Sequence, residues 1–309
     1  TTVEQWAACP HAYFVRFVLG IRALDEPSDL LDLSPLDRGS AIHEAIDRMQ
    51  RQVLDGTLPE PAAGWTEHHA ETLRRHADEI CAELERRGRT GRAAYWFGTR
   101  TALLAELGEW IEAERLHWQD RRVLASEHRF GDDGSVTLPL PDGRSIAFRG
   151  SVDRIDRLPD GTLVVTDHKT GSPRAYRNVA VDPTNGGTHF QLPVYAAAAR
   201  VLTAEPDANV RAEYAFFRRG EFKRYGVTFD DARWKLTLTQ LGEIVAGIES
   251  GLFPSRPEPP GWRLHVPCVF CEPDELGTTE RFTEWERKRH DPRLARWFAD
   301  ADGEESDDG

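Results

Sequence analysis

No apolar run in the 309-residue sequence approaches the roughly 18 residues of a membrane span, so nothing in it reads as membrane-crossing. No basic-plus-apolar leader opens it, and no secretory signal is in view. It starts Thr1-Thr2, without methionine, as a segment cut from a longer chain would. Cysteine is scarce: Cys9, Cys81, Cys268 and Cys271 are all there is. Without a signal, so few do not make a secreted disulfide framework, and a cytoplasmic location is expected. No Gly-x4-Gly-Lys-Ser/Thr segment occurs, so a motor of that type would lie outside this chain. No internal repeat and no linker long enough to divide two domains is visible. A surplus of positive charge is missing too. The net charge is −13, which disfavours a passive nucleic-acid binder.

The composition that remains is 39% hydrophobic and 29% charged, enough apolar material for a globular core. The acidity is uneven. Asp300, Asp302, Glu304, Glu305, Asp307 and Asp308 crowd the end, and residues 293–309 read as an acidic, disordered tail. Arginine is dense at Arg86, Arg87, Arg89 and Arg92, and basic residues cluster again at Arg218, Arg219, Lys223 and Arg224. Solvated faces are the plain reading of both clusters.

Periodicity divides the chain. Thr2 to Gly20 reads as a helix interrupted at Cys9-Pro10, with Pro10 suited to a first helical position. Asp37 to Leu54 carries an apolar stripe of Ala41, Ile42, Ala45, Ile46, Met49 and Val53, with His43 off its centre. Thr66 to Arg87 and Thr90 to Asp120 read as two more helices. Five short strands follow, between Val123 and His168, read as an antiparallel meander. Asp-Gly turns at Asp133-Gly134, Asp142-Gly143 and Asp160-Gly161 separate them. After a Pro/Asn/Gly-rich loop come a helix from Phe190, a hairpin across Gly220-Glu221, and a helix from Asp231 capped by Asp230 or Asp231. The expectation is an α/β fold in one domain, residues 1–292: a mainly helical part (1–120), a core (121–250) and a cysteine-containing closing segment (251–292). A central mixed sheet should be flanked by helices, with a helical amino-terminal portion.

The chemistry concentrates in Gly150-Ser151-Val152-Asp153-Arg154-Ile155-Asp156 and Leu163-Val164-Val165-Thr166-Asp167-His168-Lys169-Thr170-Gly171. Side chains alternate along a strand, so Asp167 and Lys169 share a face and His168 points away. Two carboxylates and an ammonium converging at strand ends are costly to desolvate. A divalent magnesium or manganese ion, which takes hard oxygen ligands, is the usual reason for such a set. Such a site suits hydrolysis of a phosphodiester, because the cation lowers the pKa of a bound water and stabilises charge on a phosphoryl oxygen. The plain alternative is an ion pair between surface strands.

This constellation resembles the PD-(D/E)XK nuclease superfamily in its RecB-type branch, with a restriction-endonuclease-like core. Gly39-Ser40-Ala41-Ile42-His43 is similar to that family's upstream helix motif, and Gln191-Leu192-Pro193-Val194-Tyr195 to its Gln-x-x-x-Tyr motif. Glu127 sits where these proteins often have a glutamate. The resemblance implies that Asp153 and Asp167 ligate the metal, completed by His43 and the backbone carbonyl of His168. It implies that Lys169 acts on the attacking water or the scissile phosphate, and that Gln191 and Tyr195 lie near the site and the DNA strand. Glu127 is expected as an accessory residue or an edge-strand charge. The implied activity is a DNA exonuclease acting on single strands, beside a helicase partner in repair or recombination. A non-catalytic DNA-binding or structural module, and a small-molecule phosphohydrolase, are the rival readings.

Some relatives of the AddB-like and CRISPR-associated exonuclease kind hold a four-iron cluster with one amino-terminal cysteine and three carboxy-terminal ones. Cys9-Pro10 resembles the first, and Cys268 and Cys271 the next two. No cysteine follows Cys271. A fourth ligand would have to be Cys81, His265 or Asp274, since four thiolates are usual. An iron–sulfur cluster with a substitute ligand, a zinc ion and no metal at all stay open.

Overall fold

The computed structural model describes residues 2–21, 32–118, 120–218, 221–255 and 279–294. Cys268, Cys271, His265, Asp274 and the acidic residues from Asp300 lie outside them. So do Arg219 and Gly220. Among the described residues no helix is long and apolar enough to cross a membrane.

The amino-terminal helix breaks where Cys9-Pro10 stands. α1 (Thr2–Ala8) ends, Cys9 is extended, and Pro10 opens α2 (Pro10–Tyr13) at its first position, where its missing N–H costs nothing. A π-turn, Phe14–Val18, continues it. Ser34 caps α3 (Pro35–Leu54), accepting the Asp37 N–H at 3.0 Å, and Pro35 presets the first turn. α4 (Glu67–Arg86) and α5 (Ala93–His117) follow. Asp230 is the cap of the later helix, accepting the Arg233 N–H at 2.9 Å.

The strands do not form one meander. β1 (Arg122–Phe130) pairs antiparallel with β4 (Gly150–Arg157), while β2 (Thr137–Pro139) and β3 (Ser145–Ala147) make a separate two-stranded ribbon. The ribbon leaves the sheet because its apolar side chains, Val136, Leu138, Leu140 and Phe148, bury themselves against the core on one face. Gly131 makes the crossing feasible. Its φ is +81°, and a Cβ there would lie 1.9 Å from the Phe148 carbonyl oxygen. β5 (Leu163–Lys169) pairs antiparallel with β4 and parallel with β6 (Val210–Arg218). The parallel step needs a long crossover, supplied by the loop and α6 (Gln191–Thr203). β7 (Glu221–Thr228) closes the order β1-β4-β5-β6-β7. α7 (Asp231–Glu249) and α8 (Thr279–Lys288) complete the described elements.

Two apolar cores lie on opposite faces of this mixed sheet. One joins α1, α6, α7 and the ribbon to Val152, Ile155, Leu163 and Val165. The other joins α3, α4 and α5 through residues such as Ile42, Met49, Leu73 and Trp110. The arrangement is the restriction-endonuclease-like α/β sandwich, and the strand ends are held between the layers.

Candidate active site

β4 and β5 part company where the chemistry lies. Their ladder runs from Arg157↔Leu163 to Arg154↔Thr166 and stops there. Beyond it, Asp153 Oδ2 accepts the backbone N–H of His168 at 2.7 Å, so a carboxylate takes over from the ladder. On the other side of β4, Glu127 has φ +41°, a left-handed conformation costly for a residue with a side chain. The twist brings Glu127 Oε1 to 3.3 Å from His43 Nδ1, and Ser151 Oγ donates to Glu127 Oε2 at 3.1 Å.

His43 and Asp47 stand one turn apart on α3 and both face β1. Asp47 Oδ1 accepts the Ser126 hydroxyl at 2.7 Å, which fixes the helix over the strand. His43 Nδ1 also lies 3.5 Å from Asp153 Oδ2, and its Nε2 lies 3.1 Å from the carbonyl oxygen of His168. His43, Glu127 and Asp153 each offer a ligand atom, all within 4.8 Å of one another. A hard carboxylate pair, an imidazole and a neighbouring carbonyl fit a small divalent cation.

Asp167 and Lys169 share a face, turned toward α6. Lys169 Nζ lies 2.6 Å from Asp167 Oδ2 and donates to Gln191 Oε1 at 2.9 Å. Gln191 Nε2 is 3.5 Å from the Tyr195 hydroxyl, and the Tyr195 ring meets Phe130 edge-on. The Lys169 ammonium sits 5.5 Å from the centre of the Tyr214 ring. His168 points the other way, its ring buried edge-on against Trp110 and Phe217. The structure thus gathers His43, Glu127, Asp153 and the His168 carbonyl into one group, and Asp167, Lys169, Gln191 and Tyr195 into an adjoining chain.

The electrostatics follow from burial and crowding. Burial, reinforced by the Asp167 carboxylate, pushes Asp153 up to about 7. Burial likewise raises Asp167, against the opposing pull of Lys169. For His43, burial resists the charge, but the carboxylates of Glu127, Asp153 and Asp167 outweigh it and raise its pKa. For Lys169, burial again resists, and Asp167 outweighs it, so the amine stays an ammonium at neutral pH. Burial keeps the His168 ring neutral. These are the shifts expected where like charges are pressed together in a partly dry site.

Cys9 and Cys81 are buried in different surroundings. Cys81 lies wholly inside the core of α3 to α5, and burial pushes its thiol up to about 11, the behaviour of a packing residue. Cys9 heads α2, which rests on the start of the closing segment. His11 N–H donates to the Pro254 carbonyl at 3.1 Å, Trp6 Nε1 donates to the Leu252 carbonyl at 3.1 Å, and Tyr13 stacks on Phe253.

Sequence reading overlooked three features. Ser151 holds Glu127 by its hydroxyl, and Tyr214 walls in Lys169. Behind the site, Arg154, Asp156, Glu114, Glu213, Arg121 and Arg224 form a buried ion network. The alternation of Arg154 and Asp156 on one face of β4, a strand buried along most of its length, was the available signal for it.

Sequence comparison supplies relatives for this arrangement. An ATP-dependent helicase/deoxyribonuclease subunit of Clostridium perfringens is 26% identical over 207 residues, 63% of this chain and 17% of that protein. Its counterpart in Acetivibrio thermocellus is 28% identical over 180 residues, 55% of this chain and 15% of that protein. The counterpart in Clostridioides difficile is 22% identical over 219 residues, 67% of this chain and 18% of that protein. The chain therefore spans less than a fifth of the length of these relatives. A family model covers far more of it: the match runs over residues 1–275, taking in the sheet, the carboxylate–lysine site and the glutamine–tyrosine helix, and the chain belongs to the PD-(D/E)XK nuclease superfamily.

Proposed function

We propose that the chain is a magnesium- or manganese-dependent deoxyribonuclease, acting as an exonuclease on single strands beside a helicase partner in DNA repair or recombination. The observation that carries this is the meeting of two groups at the parted ends of β4 and β5. His43, Glu127 and Asp153 lie within 4.8 Å, and the Asp167–Lys169–Gln191–Tyr195 chain runs alongside. The likeness to helicase/deoxyribonuclease subunits supports the helicase partner and the DNA substrate.

Asp153, Asp167, His43 and the His168 carbonyl would hold the divalent ion, with Glu127 as a further donor. Bound there, the ion supplies a more acidic water and a counter-charge for the phosphoryl oxygens. Lys169 acts as a fixed cation. Two of its three N–H donors are directed at Asp167 and Gln191, and the third is left for a phosphate oxygen or the attacking water. Gln191 holds the ammonium in position, and Tyr195 holds Gln191. The neutral His168 ring anchors the strand in the helical layer, while its carbonyl faces the site.

Incubating labelled single-stranded DNA with the protein and manganese tests this. Cleavage should occur, and Asp167→Ala and Lys169→Ala should abolish it. Undiminished cleavage by either variant would sink the mechanism. A complete site makes the non-catalytic module the weaker reading, because such a module gains nothing from an ammonium clamped between Asp167 and Gln191.

A second reading concerns the closing segment. Cys9 heads the helix that rests on residues 252–254, at the start of the stretch leading to Cys268 and Cys271. An iron–sulfur cluster or a zinc ion on these three cysteines and a fourth ligand would tie the two ends of the fold together. Absorbance and metal analysis of anaerobically purified protein separates iron, zinc and bare thiols.

A further inference from the structure

Beyond Lys169 the sheet carries its chemistry sideways. Lys169 pairs in register with Phe216, and Phe216 with Lys223, so the three side chains form one row on one face of β5, β6 and β7. Two strand spacings, about 9–10 Å, separate the ends of the row. Over it lies a cavity of about 190 Å³, lined by Gly171, Ser172, Arg174, Arg177, Phe216 and Lys223. Its cations come from two separate elements, the turn after β5 and strand β7.

The turn is firmly seated. Tyr176, between the two arginines, packs its ring against His189 at 4.5 Å, Tyr214 at 4.6 Å and Phe216 at 5.1 Å between ring centres. Tyr214 is the ring beneath the Lys169 ammonium, so the cavity and the active site share one aromatic platform. Arg174 and Arg177 are exposed, and no described carboxylate pairs with either, in a chain with 52 acidic against 39 basic residues. Lys223 and its neighbour Arg224 divide by strand alternation: Arg224 turns inward to Glu114 and Glu213, and Lys223 stays outward. Of the basic cluster around residue 223, Arg224 is therefore structural.

We infer that this cavity is a phosphate-binding subsite for the DNA strand being cut, in which Arg174, Arg177 and Lys223 hold backbone phosphates one to a few nucleotides from the bond beside Lys169. The inference rests on the nuclease reading and extends it. A carboxylate-rich metal site repels a polyanion until the cation is bound, so a chain of net charge −13 needs a local cationic hold on the strand. Guanidinium groups are suited to grip phosphate oxygens in pairs. Gly171 and Ser172, with little or no side chain, leave the way open between Lys169 and the arginines.

The test compares a 20-nucleotide single strand with a dinucleotide carrying one phosphodiester bond, in the intact protein. The triple variant Arg174→Ala, Arg177→Ala, Lys223→Ala should raise KM for the long strand about tenfold or more. The plot of log KM against log salt should flatten by about 0.7 for each phosphate no longer held. On the dinucleotide, which cannot reach the subsite, the loss should shrink to a small fraction of this. Arg86→Ala, an exposed arginine on α4, should leave both substrates unaffected. An unchanged KM and salt slope would overturn the inference, as would equal losses on both substrates, which mark a structural role. Should the protein cut neither substrate, the nuclease reading fails by itself. Fluorescence anisotropy of the same 20-mer with calcium then decides the subsite: a tenfold weaker hold by the triple variant supports it, and equal binding overturns it.

Discussion

His43 has an acceptor at each ring nitrogen: carboxylates at Nδ1 and the His168 carbonyl at Nε2. A neutral imidazole satisfies one of them, and an imidazolium satisfies both. Asp153, held up to about 7 by burial and by Asp167, also keeps its proton up to near neutral pH. Both raised pKa values mean that protons occupy the site while no cation is bound. The stability they add is complete at acid pH and fades as pH rises through the folded values. A divalent ion must displace these protons. Its affinity should therefore climb as pH rises toward and through about 7, with net proton release seen by calorimetry in buffers of different ionisation heat. A flat profile would refute this account. Glu127→Gln removes the negative partner of His43 and should weaken metal binding by about 10- to 100-fold, the range for groups that orient metal ligands. Lys169→Ala should lower kcat by at least about 10²- to 10³-fold, as loss of a preorganised charge does. Strand alternation was enough to put Asp167 and Lys169 on one face and His168 on the other. It could not aim Glu127, because a residue at φ +41° leaves the strand period, and nothing local in Ser126-Glu127-His128 announces that turn.

Elements were easier to read than their partners. The helices begin and end within a few residues of their sequence signals, because caps and prolines act locally: Ser34 and Pro35, Cys9 and Pro10, Asp230. Two of the three Asp-Gly turns, Asp142-Gly143 and Asp160-Gly161, mark hairpins, while Asp133-Gly134 joins β1 to β2, which do not pair. Which strands then join one sheet is decided by distant burial, and so β2 and β3, whose local pattern is that of meander strands, form a ribbon of their own. Two close approaches make this level testable. Gly131→Ala would drive a Cβ against the Phe148 carbonyl at a positive φ, and should destabilise the fold by about 1–3 kcal/mol or more, read as a lowered Tm. Gly247 on α7 lies under the Trp6 indole, where a Cβ would come within 2.3 Å of the ring. Gly247→Val should lever α1 off α7, and Trp6 would become accessible to fluorescence quenchers while far-UV circular dichroism changes little. Unaltered quenching would mean that α1 is not held by this contact.

Across the whole molecule the sheet must be locked to two layers that differ in character. Toward α6 and α7 the contact is apolar outside the Asp167–Lys169–Gln191 chain. Toward α5 it runs through charge: Arg154 meets Glu114 at 2.8 Å and Asp156 at 2.9 Å, Arg224 meets Glu114 and Glu213, and Arg121 lies 3.6 Å from Asp156 and 3.5 Å from Glu213. Three arginines balance three carboxylates, so the buried set is neutral as a whole and highly charged in each part. Several of its atoms, among them Arg154 Nη2 and both oxygens of Asp156, have no aligned hydrogen bond. Such a network is costly to desolvate and gains less than its contacts suggest. Its members come from α5, β4, β6, β7 and the link into β1, so it fixes how the helical layer sits behind Asp153 and His168. Breaking one pair should therefore hurt more than removing it. Glu114→Gln leaves two buried arginines short of charge and should cost about 3–5 kcal/mol of unfolding free energy, measured by denaturant titration. Arg154→Met alone should cost a similar amount. The double variant should lose clearly less than the sum, because Glu114 and Arg154 are then removed together and neither is left buried facing the other's absence. Strict additivity in that cycle would mean that the network is a set of independent contacts, and the positioning of the helical layer would have to come from apolar packing alone.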